Sequence, residues 1–166
     1  MPGAGKTFFG SYAAKKLGVS FIDLDNEISE KYKVSIAHIF ETKGEPEFRQ
    51  MEIEMLKHLI NSCKEDAIIS TGGGTPCFNN AMELMNKYGI TVWLDAKIED
   101  LYSNITHDNP DRPLFNGIKK EELMAKLEEM NGLRQNFYGQ SVVKVSIYRG
   151  LSPDLFTKRL HLSTFA

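Results

Sequence analysis

Two glycines, a lysine and a threonine within five positions at the start of this chain have the types and spacing to handle phosphate. Gly3-Ala4-Gly5-Lys6-Thr7 is the second half of the pattern G-x-x-x-x-G-K-[S/T]. A loop that wraps a phosphate turns its backbone N–H groups inward, which takes dihedrals and close approaches that a Cβ blocks. Lys6 adds a mobile cation for the outer phosphates, and the Thr7 hydroxyl is an oxygen ligand suited to Mg²⁺. The run from Phe8 to Leu17 reads as a helix, so its N-terminal dipole points at the same anion. A Gly-rich turn before an ordinary helix is the plain alternative. Gly, Lys and Thr in register, with a helix behind them, favour a nucleotide.

Three further groups carry chemistry. Asp23 and Asp25 close the strand-like run Val19 to Ile22. If strand geometry persists, period-2 alternation puts both carboxylates on one side, one for Mg²⁺ through water and one to take a proton from a substrate hydroxyl. An N-cap role for Asp25, ahead of a helix from Asn26, competes with this. Gly72, Gly73 and Gly74 follow the short run Ala67 to Ser70 and bring bare backbone near a ligand, where N–H groups can bind an anion; a wide turn explains them equally well. Arginines are few, and Arg49, Arg112 and Arg134 stand near these segments. A planar guanidinium fork pairs with carboxylate or phosphate in a way an ammonium cannot.

The elements that must hold these groups alternate between short β-rich runs and longer helical patterns, the signature of a parallel sheet covered by helices. Helices are predicted for 26–32, 35–41, from Pro46 through Ile60, from an Asn79 cap to about Gly89, 97–105, 118–138 and from Pro153, with Gly44 breaking the chain before Pro46. Strands are predicted for 19–22, 67–70 (buried), 90–94 and 142–147. The C-termini of such strands point at the ligand crevice. The segment from 106 to 117 loses all periodicity, and a long polar loop in a compact domain tends to be functional. At 166 residues, with 42% hydrophobic and 25% charged, the chain fits one globular domain. A net charge of −2 speaks against a nucleic-acid binder. No apolar run approaches a membrane span, and Cys63 and Cys77 fit thiols in a reducing cytosol. The four histidines lack metal-ligand spacing.

Taken together the motifs resemble shikimate kinase, of the nucleoside-monophosphate-kinase-like P-loop group. The matching stretches occur in order: Gly3-Ala4-Gly5-Lys6-Thr7, Phe21-Ile22-Asp23-Leu24-Asp25, Gly44-Glu45-Pro46-Glu47-Phe48-Arg49, Ser70-Thr71-Gly72-Gly73-Gly74, Arg112-Pro113-Leu114 and Arg134-Gln135-Asn136-Phe137-Tyr138. The resemblance implies an α/β three-layer P-loop sandwich and ATP-dependent phosphorylation of the 3-hydroxyl of shikimate, by a cytoplasmic monomer. It implies that Gly3 to Phe8, with Lys6, take the ATP phosphates, and that Thr7 and Asp23 attend Mg²⁺. Asp25 would bind the ring hydroxyls as the candidate base. Arg49, Arg134 and the backbone of Gly72 to Gly74 would hold the substrate, and Arg112 would ride a mobile lid of about 106–117. Such a lid excludes water, the competing acceptor.

Three departures stand out. The first strand and the pattern's first glycine do not precede Met1, so residues 1–166 read as one kinase domain truncated at its start. Unpaired sheet neighbours would leave it poorly folded or inactive alone, at about 1–3 kcal/mol per buried orphan group. Ser103-Asn104 replace an arginine near the adenine; Arg149 would then supply the stacking plane. The segment after Arg134 lacks the family's common proline. A gluconate-kinase-like enzyme and a non-catalytic nucleotide-binding relative are the competing expectations.

Overall fold

The structure, a computed structural model, describes residues 1–108 and 119–164. They fall into two compact units, one of residues 7–89 and one of residues 1–6 together with the chain from 90 onward.

In the first of these, α1 (Lys6–Leu17) ends at Gly18, whose φ of 71° is the left-handed turn that glycine supplies after a helix. A Cβ built on Gly10 would stand 2.9 Å from the Phe21 ring, so this helix face comes close to the strand that follows. β1 (Ser20–Asp23) pairs in parallel with β2 (Ala67–Ser70), placing Asp23 opposite Ser70. Parallel neighbours need a long crossover, here α2 (Leu24–Tyr32) and α3 (Ile36–Ser62). The Ser35 hydroxyl caps α3 by accepting from the His38 N–H. Inside α3, Gly44 (φ 78°, ψ 173°) leaves the helical region, and Pro46 sits in the first turn of the resumed helix, where its missing N–H costs nothing. From there Phe48, Met51, Met55, Leu56 and Leu59 recur at three- and four-residue intervals and are buried with Leu24, Ile28 and Ile39. A 3₁₀ turn (Thr75–Cys77) and α4 (Ala81–Tyr88) complete the unit.

In the second unit β3 (Val92–Ala96) pairs in parallel with β4 (Val143–Ile147), with Leu94 opposite Val145. The crossover contains α5 (Ile98–Asp108) and α6 (Lys120–Tyr138), and α7 (Pro153–Thr164) follows β4. β4 alternates cleanly, with Val143, Val145 and Ile147 buried and Lys144 and Ser146 exposed. Leu101, Ile105, Leu123, Leu127 and Tyr138 form the core, and Met1 and Ala4 of the N-terminal loop are buried in it.

Several expectations are corrected. The strand carrying the acidic pair stops at Asp23 and α2 starts at Leu24, so period-2 alternation does not place Asp23 and Asp25 on one side. Asp23, not Asp25, caps that helix. The break predicted at Gly44 is present, since its backbone leaves the helical region and separates two helical stretches within α3. Asn80, in a left-handed conformation and without a side-chain capping bond, precedes α4 in place of Asn79, whose amide is engaged elsewhere. β2 is half-buried except at Ser70. α5 continues to Asp108, so positions 106–108 of the expected lid are helical. The rest of that loop, with Arg112, lies outside the described residues.

Candidate active site

The N-terminal loop is shaped by backbone rather than by charge. Gly3 and Gly5 both have φ of 75°, a conformation L side chains rarely adopt. Gly3 is constrained twice, because a Cβ there would lie 2.8 Å from the Leu101 carbonyl oxygen, a helix backbone atom that cannot yield. Ala4 between them is buried. The Asn104 amide donates to the Gly3 carbonyl at 2.8 Å, tying the loop to α5. Lys6 Nζ donates to the Met1 carbonyl at 3.2 Å, closing the loop on itself, and α1 begins at Lys6. A helix N-terminus directly after a glycine loop is the general form of an anion-binding motif.

Beside the start of α1, the Thr7 hydroxyl donates to Asp23 Oδ2 at 3.0 Å. The other oxygen, Asp23 Oδ1, accepts from the Asp25 N–H at 3.2 Å. One carboxylate therefore caps α2 and stands next to the threonine oxygen. Two hard oxygen ligands side by side fit Mg²⁺, which keeps waters and phosphate oxygens for its other positions. Among the described residues no group of three or more His, Cys, Asp or Glu could hold a metal, so these two oxygens would not act as an all-protein cage. Asp25 lies in the first turn of α2 with Oδ1 buried, 3.5 Å from the point where a Gly72 Cβ would stand.

The most constrained side chain is Arg49. Its Nη1 donates to Glu52 Oε2 at 2.5 Å, and its Nε and Nη2 donate to Glu45 Oε1 at 3.1 and 2.8 Å. Glu52 is only 1% exposed and its Oε1 accepts from the Thr75 hydroxyl at 2.5 Å. Three rings surround the guanidinium, with Cζ 5.9, 5.1 and 4.6 Å from the centroids of Phe40, Phe48 and Phe78. Asn79, in the left-handed region, donates its amide to the Arg49 carbonyl at 3.0 Å.

The glycine tract is explained by what it faces. A Cβ at Gly72 would lie 2.7 Å from Glu52 Oε1 and 3.0 Å from the Thr75 hydroxyl, and one at Gly74 would collide with the Arg49 guanidinium. Only bare backbone can approach this buried ion pair. Glu45, Pro46, Arg49, Phe78 and Asn79 line a cleft of about 300 Å³ at its open side. Burial by itself lowers the Arg49 pKa. The hydrogen bond and charge of Glu52, then those of Glu45, outweigh it and hold the pKa above arginine's ordinary value. The guanidinium is thus a permanent cation, and any stability this shift confers is lost only in strong alkali.

The structure brings together Thr7 with Asp23 and Arg49 with Gly74, while Gly72 stands against Glu52 and Thr75 with Asp25 Oδ1 nearby. The loop Gly3, Ala4, Gly5 and Lys6 is grouped with α5. Gly73 is half-buried between its neighbours and Phe8 is exposed on α1. Arg134, half-buried on α6, and Arg149, exposed after β4, belong to the unit that contains β3 and β4. Glu52, Thr75 and Phe78 were not singled out from sequence, and Glu45, Asn79 and Asn104 were noted there without the partners they have here. Glu45 and Glu52 had a legible signal, acids four before and three after Arg49 on a helix. Asn104 had none, standing 101 positions from its partner.

The profile of the family "Shikimate kinase" matches residues 2–161. The chain belongs to the shikimate kinase family. A shikimate kinase of Azobacteroides pseudotrichonymphae is 44% identical over 155 residues, 92% of this chain and 89% of the relative. One from Parabacteroides distasonis is 41% identical over 141 residues, 85% of this chain and 80% of the relative. The crystal structure of Bacteroides thetaiotaomicron shikimate kinase superposes with a TM-score of 0.92 at 34% identity, covering 99% of this chain and 94% of that one. Acinetobacter baumannii shikimate kinase in complex with shikimate superposes with a TM-score of 0.84 at 32% identity, covering 97% and 88%. The fold is the family's P-loop α/β architecture, and the gluconate-kinase-like alternative is not favoured. No helix among the described residues is long and apolar enough to cross a membrane.

Proposed function

We infer that this chain transfers the γ-phosphoryl group of ATP to the 3-hydroxyl of shikimate, as one kinase domain and as a cytosolic monomer. The observation that carries the reading is Arg49: a permanently charged fork, fixed by a buried acid and facing a cleft beside a glycine tract, suits the carboxylate of a small ring acid. The relative crystallised with shikimate supports that choice of acid.

Each group then has a physical task. Phosphoryl transfer needs positioning and charge neutralisation more than covalent help. The amides of Gly3 to Thr7, followed by Phe8 on the same helix, hold the triphosphate, and Lys6 neutralises its outer oxygens. Thr7 and Asp23 would hold Mg²⁺, which when bound spreads the phosphates' charge. Arg49, Arg134 and the backbone of Gly72, Gly73 and Gly74 hold shikimate. Asp25 takes the proton of the attacking hydroxyl, so the nucleophile gains electron density as the phosphoryl group leaves ADP. Arg112, carried over from the family resemblance, draws in the phosphates and excludes water. Arg149 covers the adenine.

ADP release measured with this chain tests the reading. It predicts release that depends on shikimate and is negligible with gluconate. Gluconate-dependent release, or release independent of any hydroxy acid, would overturn it.

A further inference from the structure

Arg49 is bound by two acids that differ sharply in environment. Glu52 is buried, shares its second oxygen with Thr75, and has nowhere to go. Glu45 is half exposed, at 50%, and lies in the cleft wall beside Arg49. Its single oxygen Oε1 accepts from both Nε and Nη2, the fork edge with which an arginine binds a carboxylate bidentately. Of the guanidinium's five N–H groups, these bonds and the one to Glu52 commit three.

We propose that Glu45 is a stand-in carboxylate: it accepts from the Arg49 fork and is displaced into water when the substrate's carboxylate arrives. Exposed ion pairs are worth little, so the displacement is cheap, whereas losing the Glu52 pair would strand a buried charge. The device sets specificity. A simple monocarboxylate gains from Arg49 little more than it takes from Glu45, so it binds poorly. A ring acid whose hydroxyls also reach other groups of the site keeps a net gain. The resident acid also keeps the cation oriented between turnovers.

The inference rests on Arg49 binding the shikimate carboxylate, and the test separates the two. Glu45→Gln keeps the side chain's size and an acceptor oxygen but removes the competing charge. The shikimate KM should fall about two- to five-fold, with kcat and the ATP KM unchanged, and benzoate should become a better competitive inhibitor by a similar factor. The difference should shrink as salt rises. A shikimate KM that rises in Glu45→Gln would make Glu45 a support for the fork and overturn the proposal, as would an unchanged KM. Arg49→Ala in parallel checks the foundation. If it spares the shikimate KM, the carboxylate reading itself fails, whatever Glu45→Gln does.

Discussion

Gly74→Ala is the sharpest perturbation available, because it adds one carbon against one identified atom group. The new Cβ would overlap the Arg49 guanidinium, lying 2.8 Å from Cζ and 3.0 Å from Nη1 and closer still to Nη2. Ordinary contact begins about 3.4 Å away, so the guanidinium must retreat by roughly an ångström. A free arginine would swing aside at little cost. This one is pinned by Glu52 at 2.5 Å and hemmed by Phe78 and Phe48, so retreat means lengthening a charge-assisted hydrogen bond. Such bonds are worth about 1.5–3 kcal/mol, which corresponds to a shikimate KM raised about 10- to 150-fold. Steady-state kinetics with shikimate varied at saturating ATP reads this directly, and the ATP KM should hold. Gly132→Ala is the control, since nothing lies within 4 Å of a Cβ there and it sits inside α6. It should stabilise the helix by about 0.5–1 kcal/mol and leave both KM values alone. A Gly74→Ala enzyme with unchanged shikimate KM would refute the claim that the glycine tract exists to admit Arg49.

Other expectations follow from the same geometry. Glu52→Ala leaves the Arg49 cation buried beside only a solvent-exposed acid, so stability should drop by about 3–5 kcal/mol, read as a lower urea midpoint, with Glu52→Gln milder because Thr75 keeps its acceptor. Asn104→Ala frees the Gly3 carbonyl from α5 and should raise the ATP KM several-fold with the shikimate KM unchanged; the reverse pattern would mean that Asn104 does not serve the phosphate loop. Arg134→Ala should raise the shikimate KM and spare kcat, as the loss of a ground-state contact does.

Local chemistry with a fixed spacing was readable in the residues. Gly3, Gly5 and Gly44 have the positive φ that their neighbours imply, and Ala67–Ser70 is a strand with the predicted ends. What failed was local competition between elements. Asp23 satisfies an orphan helix N–H, so the backbone turns helical at Leu24 and the acidic pair loses its strand alternation. Asn79 abandons its expected cap because the Arg49 carbonyl offers its amide a partner 30 positions away. Glu52 was readable as an acid one turn from Arg49, but its burial was not, because apolar periodicity says nothing of an ion pair carried into the core. Long-range partners such as Asn104 and Gly3 leave no trace in spacing, since only the fold brings them together.

The central claim is that an acid on α2 activates the attacking hydroxyl while other groups bind the substrate. Asp25→Asn tests it most directly, measured as turnover together with shikimate binding by calorimetry. Turnover should fall by about 10²–10⁴-fold with shikimate still bound. Turnover near that of the unaltered chain would contradict it, because a neutral amide cannot take the proton.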